Sequence, residues 1–133
     1  MDTHEIDRVI AAFFAAFDNR SGSAPGLAAL PALFLPGAII VKRAAGRAEA
    51  MTVEQFIAPR AVLLTSGRLV DFHEWETEAE TTLAGGLALR VSRYRKSGLM
   101  DGATLAGGGR KHTSLVLSEA GWRIASVAWE DDA

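Results

Sequence analysis

From Arg68 to Thr82 the sequence RLVDFHEWETEAETT alternates side-chain character with no Gly or Pro, and the period of two predicts one long strand. Val70, Phe72, Glu74, Glu76, Glu78 and Glu80 fall on one side, and Leu69, Asp71, His73, Trp75, Thr77 and Ala79 on the other. A face carrying four glutamates needs water or cations, so the opposite face, with His73 and Trp75, is expected to look inward. Gly85-Gly86 has the composition of a two-residue primed turn, and Leu87 to Lys96 reads as its antiparallel partner. That register sets Glu78 against Arg93 and Glu76 against Arg95. It also puts Arg90, Ser92 and Tyr94 on the side of His73 and Trp75. Gly98 to Gly109 then reads as a glycine-rich connection, and Arg110 to Ser118 pairs through Glu119-Ala120-Gly121 with Trp122 to Glu130.

Ahead of Arg68 the period is helical. Asp2 and Glu5 have the spacing of a capping box, and Ile6, Val9, Ile10, Phe13 and Phe17 recur at three- and four-residue steps. Asp18 to Gly22 ends that helix. Leu27, Leu30 and Phe34 mark a short second one cut by Pro31, and Ala38 to Val41 a short first strand. Lys42 to Ala50 reads as a solvated connection. Thr52 and Gln55 form a second capping box opening a helix that Pro59 kinks and Gly67 terminates.

Composition narrows the function classes. With 133 residues, 49% of them hydrophobic, the chain is read as a single domain, 1–133, with a core that needs no staple. No cysteine is present, which excludes disulfides, thiolate metal sites and cysteine nucleophiles and fits a cytoplasmic location. A formal net charge of -2 with interspersed signs provides no basic field, so neither nucleic acid nor a membrane is expected as a partner. The apolar run of the first helix follows acidic residues and is too short for a bilayer.

Phe13-Phe14-Ala15-Ala16-Phe17-Asp18, then Leu33-Phe34 with Pro36-Gly37-Ala38, and finally Gly121-Trp122-Arg123-Ile124 with Trp129 give the chain its likeness. On these motifs it resembles the nuclear transport factor two-like superfamily, which includes ketosteroid isomerases and SnoaL-like polyketide cyclases. The resemblance implies an α+β, cystatin-like, cone-shaped roll: N-terminal helices on a curved, mainly antiparallel sheet, enclosing a pocket, often in a homodimer. Isomerase chemistry needs an aspartate base and an oxyanion hole of tyrosine plus a protonated acid. Val41, Lys42 and Arg43 stand where the base would be, helix one offers Phe13, Phe14 and Phe17, and the only tyrosine is Tyr94.

His73 is the first candidate for proton transfer, with Tyr94 beside it. The expected ligand-binding set is Phe13, Phe17, His73, Trp75, Arg90, Ser92, Tyr94, His112 and Trp129, an apolar space with a few fixed polar groups. The function this implies is binding of a small apolar or partly polar molecule between helices and sheet. The alternatives are an acid/base enzyme of the polyketide-cyclase or dehydratase type and a non-catalytic assembly module. No metal is expected, because His4, His73 and His112 are scattered and the glutamate row points in parallel, and no cofactor motif is present. The Gly107-Gly108-Gly109-Arg110-Lys111 run departs from a phosphate loop and reads as flexible. In the last two strands Leu115, Leu117 and Ile124 fall on one face and Val116, Val127 and Trp129 on the other, and a sheet apolar on both faces calls for a homodimer.

Overall fold

The computed structural model describes residues 2–133. Helix α1 spans His4–Ala15 and buries Ile6, Val9, Ile10, Phe13 and Phe14. Its Asp2–Glu5 capping box does not form. Asp2 accepts from the His4 backbone N–H at 2.8 Å, while the Glu5 carboxylate accepts from the Trp122 N–H at 3.1 Å, across the fold. A carboxylate that finds a backbone donor on another element is lost to its own helix end. A 3-10 turn at Arg20–Gly22 and a 3-10 helix at Leu27–Leu33 lead into the sheet.

Strand β1 (Phe34–Ala44) and strand β2 (Arg47–Thr52) form a hairpin, so the stretch expected as a solvated connection is paired backbone. Ala45 and Gly46 supply its turn with φ of 52° and 74°. The polar composition misleads here because β2 is an edge strand with nearly every residue exposed. Helix α2 (Val53–Thr65) opens on the expected Thr52–Gln55 capping box, with bonds of 3.1 and 2.9 Å, and runs on through Pro59.

Strands β3 (Leu69–Ala84), β4 (Leu87–Met100), β5 (Ala103–Ser118) and β6 (Gly121–Asp131) complete a six-stranded sheet in the order β2-β1-β6-β5-β4-β3. Only β1 and β6 run parallel. The helices pack on one face, giving the expected α+β roll. Gly98 to Gly109 is not a connection: β4 continues to Met100, Asp101-Gly102 turns the chain, and β5 carries Gly107 to Gly109 in its ladder. These glycines mark close approach. A Cβ on Gly98 would meet Phe72 at 3.1 Å, and one on Gly109 would collide with the Glu130 carbonyl and the Tyr94 hydroxyl.

Bulges redistribute the faces. The Gly85-Gly86 turn sets Ala84 against Leu87 and Glu78 against Arg93 as expected, but the register slips at Thr77, so that Glu76 lies opposite Tyr94 and Glu74 opposite Lys96. From Glu76 to Phe72 the side chains of β3 change face, and a second slip between Val70 and His73 returns Leu69 to the inner side. Glu74 and Glu76 turn inward, and His73 and Trp75 turn outward, reversing the face assignment made from strict alternation. The Glu76–Arg95 pair does not exist, and Arg93 finds Asp132 at 3.7 Å rather than Glu78. In β6 the register slips at Ala125 and brings Val127 and Trp129 onto the inner face with Ile124 and Leu115. The two apolar faces that called for a dimer are thus largely one.

Asn19 ties these parts together. Its buried side-chain amide donates to the Leu64 carbonyl at 3.0 Å and the Leu69 carbonyl at 2.8 Å, and its oxygen accepts from the Phe72 N–H at 2.8 Å. One side chain thereby satisfies the end of α2 and both flanks of Asp71, whose φ is 49°. Asn19→Ala strands three backbone groups and should destabilise the fold by about 2–4 kcal/mol in urea denaturation. A change below about 0.5 kcal/mol would mean that water replaces the amide at no cost.

Candidate functional site

Between α2 and the inner sheet face lies a cavity of about 310 Å³. Phe56, Pro59, Leu63 and Leu64 of α2 wall one side, with Phe17 from the end of α1, and Leu69, Phe72, Met100, Leu105 and Trp129 continue the apolar lining across the sheet. The polar groups stand on inner positions of the strands: Lys42 on β1, Glu74 on β3, Tyr94 and Lys96 on β4, Lys111 on β5 and Asp131 on β6; Arg60 comes from α2. The inward turn of Glu74 and the length of β5 are what bring them together.

At the centre is Tyr94, whose ring is 2% exposed and whose hydroxyl donates to Asp131 Oδ1. Lys96 Nζ donates to the other oxygen of Asp131 at 3.0 Å. Burial, then the bond to Asp131, pushes the Tyr94 hydroxyl far above its usual range, so it stays a donor. Burial also pushes the Asp131 carboxyl up, but the hydrogen bonds from Tyr94 and Lys96 and the charges of Lys96 and Lys42 outweigh it and hold the group below the ordinary carboxylate range. The pair is a fixed donor and a weak base. On the other side of the Tyr94 ring, Lys111 Nζ sits 4.2 Å from the ring centroid and 5.5 Å from that of Trp129. It also forms an ion pair with the buried Glu74 carboxylate, 2.8 Å from Oε1.

The expected site residues divide. Phe17, Tyr94 and Trp129 line the cavity. Phe13 stands one layer back, its ring stacked at 6.4 Å on that of Phe56. Arg90 and Ser92 are on the inner face but belong to a separate polar cluster: Arg90 pairs with Glu76 at 2.6 Å and with Asp7 of α1 at 2.5 Å, and Ser92 donates to Glu76. His73 and Trp75 stack on each other at 4.4 Å beside a groove that edge strand β3 forms with α1, and His112 is exposed on the outer face. They are not brought to Tyr94. Lys42, Arg60, Glu74, Lys96, Lys111 and Asp131 were missed. Lys111 was within reach, since extending the Arg110–Ser118 strand back by its own alternation places Lys111 with Thr113 and Leu115, all three buried. Glu74 was hidden by the bulge. Among the described residues no group of three or more His, Cys, Asp or Glu side chains is placed to hold a metal ion, and no helix is long and apolar enough to cross a membrane.

No family model matches the sequence, and comparison with curated proteins finds no match. Solved structures do match. A nuclear transport factor 2 (NTF2-like) superfamily protein from Salmonella enterica serovar Typhimurium superimposes with a TM-score of 0.78 at 15% identity, over 98% of this chain and 91% of that one. An NTF2-like protein with a cystatin-like fold from Novosphingobium aromaticivorans gives 0.73 at 16% identity, over 98% and 81%. A Streptomyces avermitilis protein of the NTF2-like family, provisionally named a dehydratase, gives 0.75 at 11% identity, over 99% and 96%.

Tyr94 and Asp131 each link stability to pH. Asp131, held low when folded, contributes stability that is present above the unfolded value and lost as pH falls through the folded one; Tyr94, held high, is a donor whose contribution is full below about pH 10 and is lost above it. Thermal midpoints should show the deficit of Asp131→Asn shrinking from about pH 5 downward, and the alkaline decline flattening in Tyr94→Phe. Parallel profiles for variants and parent would show that neither group is coupled to folding.

Proposed function

We propose, for a chain that has the nuclear transport factor 2-like fold, that it binds a small, mostly apolar molecule in the cavity beneath α2. The cavity itself carries this reading: apolar walls from a helix and a sheet, with polar groups at fixed points on the floor, at the small end of the roughly 300–1,000 Å³ usual for ligand sites. The groups with perturbed protonation favour binding over proton shuttling, because Tyr94 is committed as a donor and Asp131 as a carboxylate. Acid/base chemistry of the dehydratase type is the second reading. It is favoured by Glu74 and Lys111, a carboxylate and an ammonium paired at 2.8 Å on the cavity wall, and it would run through them rather than His73.

The proposal extends to a homodimer through the outer sheet face, where Leu87, Leu89 and Val91 of β4 and Ile39 of β1 are 38–60% exposed. Light scattering at micromolar concentration should return twice the 14.1 kDa chain mass, and Val91→Glu should return the single mass. A parent protein at the single mass removes the dimer.

Native mass spectrometry of the freshly purified protein is expected to show a retained small molecule. Tyr94→Phe should keep the fold and weaken a ligand that bonds the hydroxyl by about 0.5–1.5 kcal/mol. Glu74→Gln should abolish turnover only under the enzymatic reading.

A further inference from the structure

The cavity is positive in a chain that is negative. Four cations line it, Lys42, Arg60, Lys96 and Lys111, against two carboxylates, Glu74 and Asp131, whereas the whole chain carries a formal -2. The two carboxylates are taken, Asp131 by Lys96 at 3.0 Å and Glu74 by Lys111 at 2.8 Å. Lys42 and Arg60 have no carboxylate within ion-pair distance among the described residues.

These two are neighbours across the mouth. Arg60 rests its guanidinium 4.0 Å from the Phe56 ring and 5.3 Å from that of Trp129, and Lys42 Nζ lies 6.0 Å from the same Trp129 ring. Arg60 spends one donor on the Phe56 carbonyl at 2.9 Å, leaving the rest of its fork unused by protein. Lys42, Pro59 and Arg60 also border the shallow basin outside the cavity, so the pair stands where the inner space meets solvent. Burial lowers the pKa of Arg60 against the weaker pull of distant Glu74, Asp131 and Glu49, as expected of a charge desolvated without a close partner. A guanidinium held on an aromatic face with free in-plane donors is built to bond two oxygens of one carboxylate or sulfonate, and a nearby lysine adds a second contact.

We infer that the ligand of this cavity is an anion with an apolar body, an aromatic or branched carboxylate or sulfonate, seated with its charged head between Arg60 and Lys42 and its body against Phe56, Leu63 and Leu105. This rests on the binding role proposed above. It excludes polyanions, since the deeper cations are already neutralised by Glu74 and Asp131.

Two dyes that share one ring system separate the charge from the body: 1-anilinonaphthalene-8-sulfonate and its uncharged counterpart N-phenyl-1-naphthylamine. Fluorescence titration of the full chain should show the sulfonate binding about tenfold or more tightly than the neutral dye. Arg60→Gln and Lys42→Gln should each loosen the sulfonate by about tenfold while leaving the neutral dye within about twofold. Leu105→Trp, which fills the cavity, should remove both dyes; circular dichroism confirms that each variant is folded. Lys42→Gln keeps the test alive should Arg60→Gln fail to fold, because Lys42 is only partly buried on its strand. Equal binding of the two dyes, with variants that move both alike or neither, overturns the anionic class and leaves the cavity as a neutral site. Sulfonate binding that survives Leu105→Trp overturns it too, by placing the dye elsewhere. Failure of both dyes to bind the folded parent overturns the cavity as a ligand site and the anion with it.

Discussion

A carboxylate turned into a protein must be met by a cation, and the single residue inserted at Thr77 imposes that condition twice. Glu74 and Glu76 enter the interior because β3 slips by one position. Lys111 of β5 meets the first and Arg90 of β4 the second, and Arg90 reaches on to Asp7 of α1. Buried pairs of this kind gain little net energy over an apolar substitute, but removing one partner leaves an uncompensated charge and costs about 3–5 kcal/mol. They therefore specify more than they stabilise. Register, the docking of α1 and the polar floor of the cavity are fixed by one phase shift.

The cavity's chemistry follows from what that shift leaves over. Tyr94 occupies the middle of the floor because Gly109 on the neighbouring strand leaves room for its hydroxyl and Gly108 for its backbone carbonyl. Its bond to Asp131 spans β4 to β6 above those glycines, and the same two strands carry Lys96 and Trp129. Inner charges are consumed in pairs, so the remaining field comes from the mouth.

Much of the fold was legible because periodicity and turn residues agree over long stretches. Helix α1, the Thr52–Gln55 cap, the Gly85-Gly86 turn and the final hairpin all follow from local rules. The β1–β2 hairpin was not legible because an edge strand with exposed residues has no apolar alternation to read. The length of β5 was obscured by glycines that signal close packing as readily as a loop. In the site, Phe17 followed from the helical period and Tyr94 from strand alternation, while Trp129 was expected as an aromatic wall and reaches the inner face through the slip at Ala125. Bulges carry no local signature, and a single one moved His73 and Trp75 out and Glu74 in. Glu74 lay beyond any reading that assumed an unbroken period, whereas Lys96 and Lys111 follow the alternation of their own strands.

Asn19 holds the C-terminal end of α2 to the start of β3 through one amide, with Leu64 and Leu69 as its acceptors. The other end of the helix is tied as well, because its capping box joins Gln55 to Thr52, the last residue of β2. The helical wall of the cavity is therefore fastened to the sheet at both ends by side-chain bonds, and the height of the space beneath it does not rest on apolar packing alone.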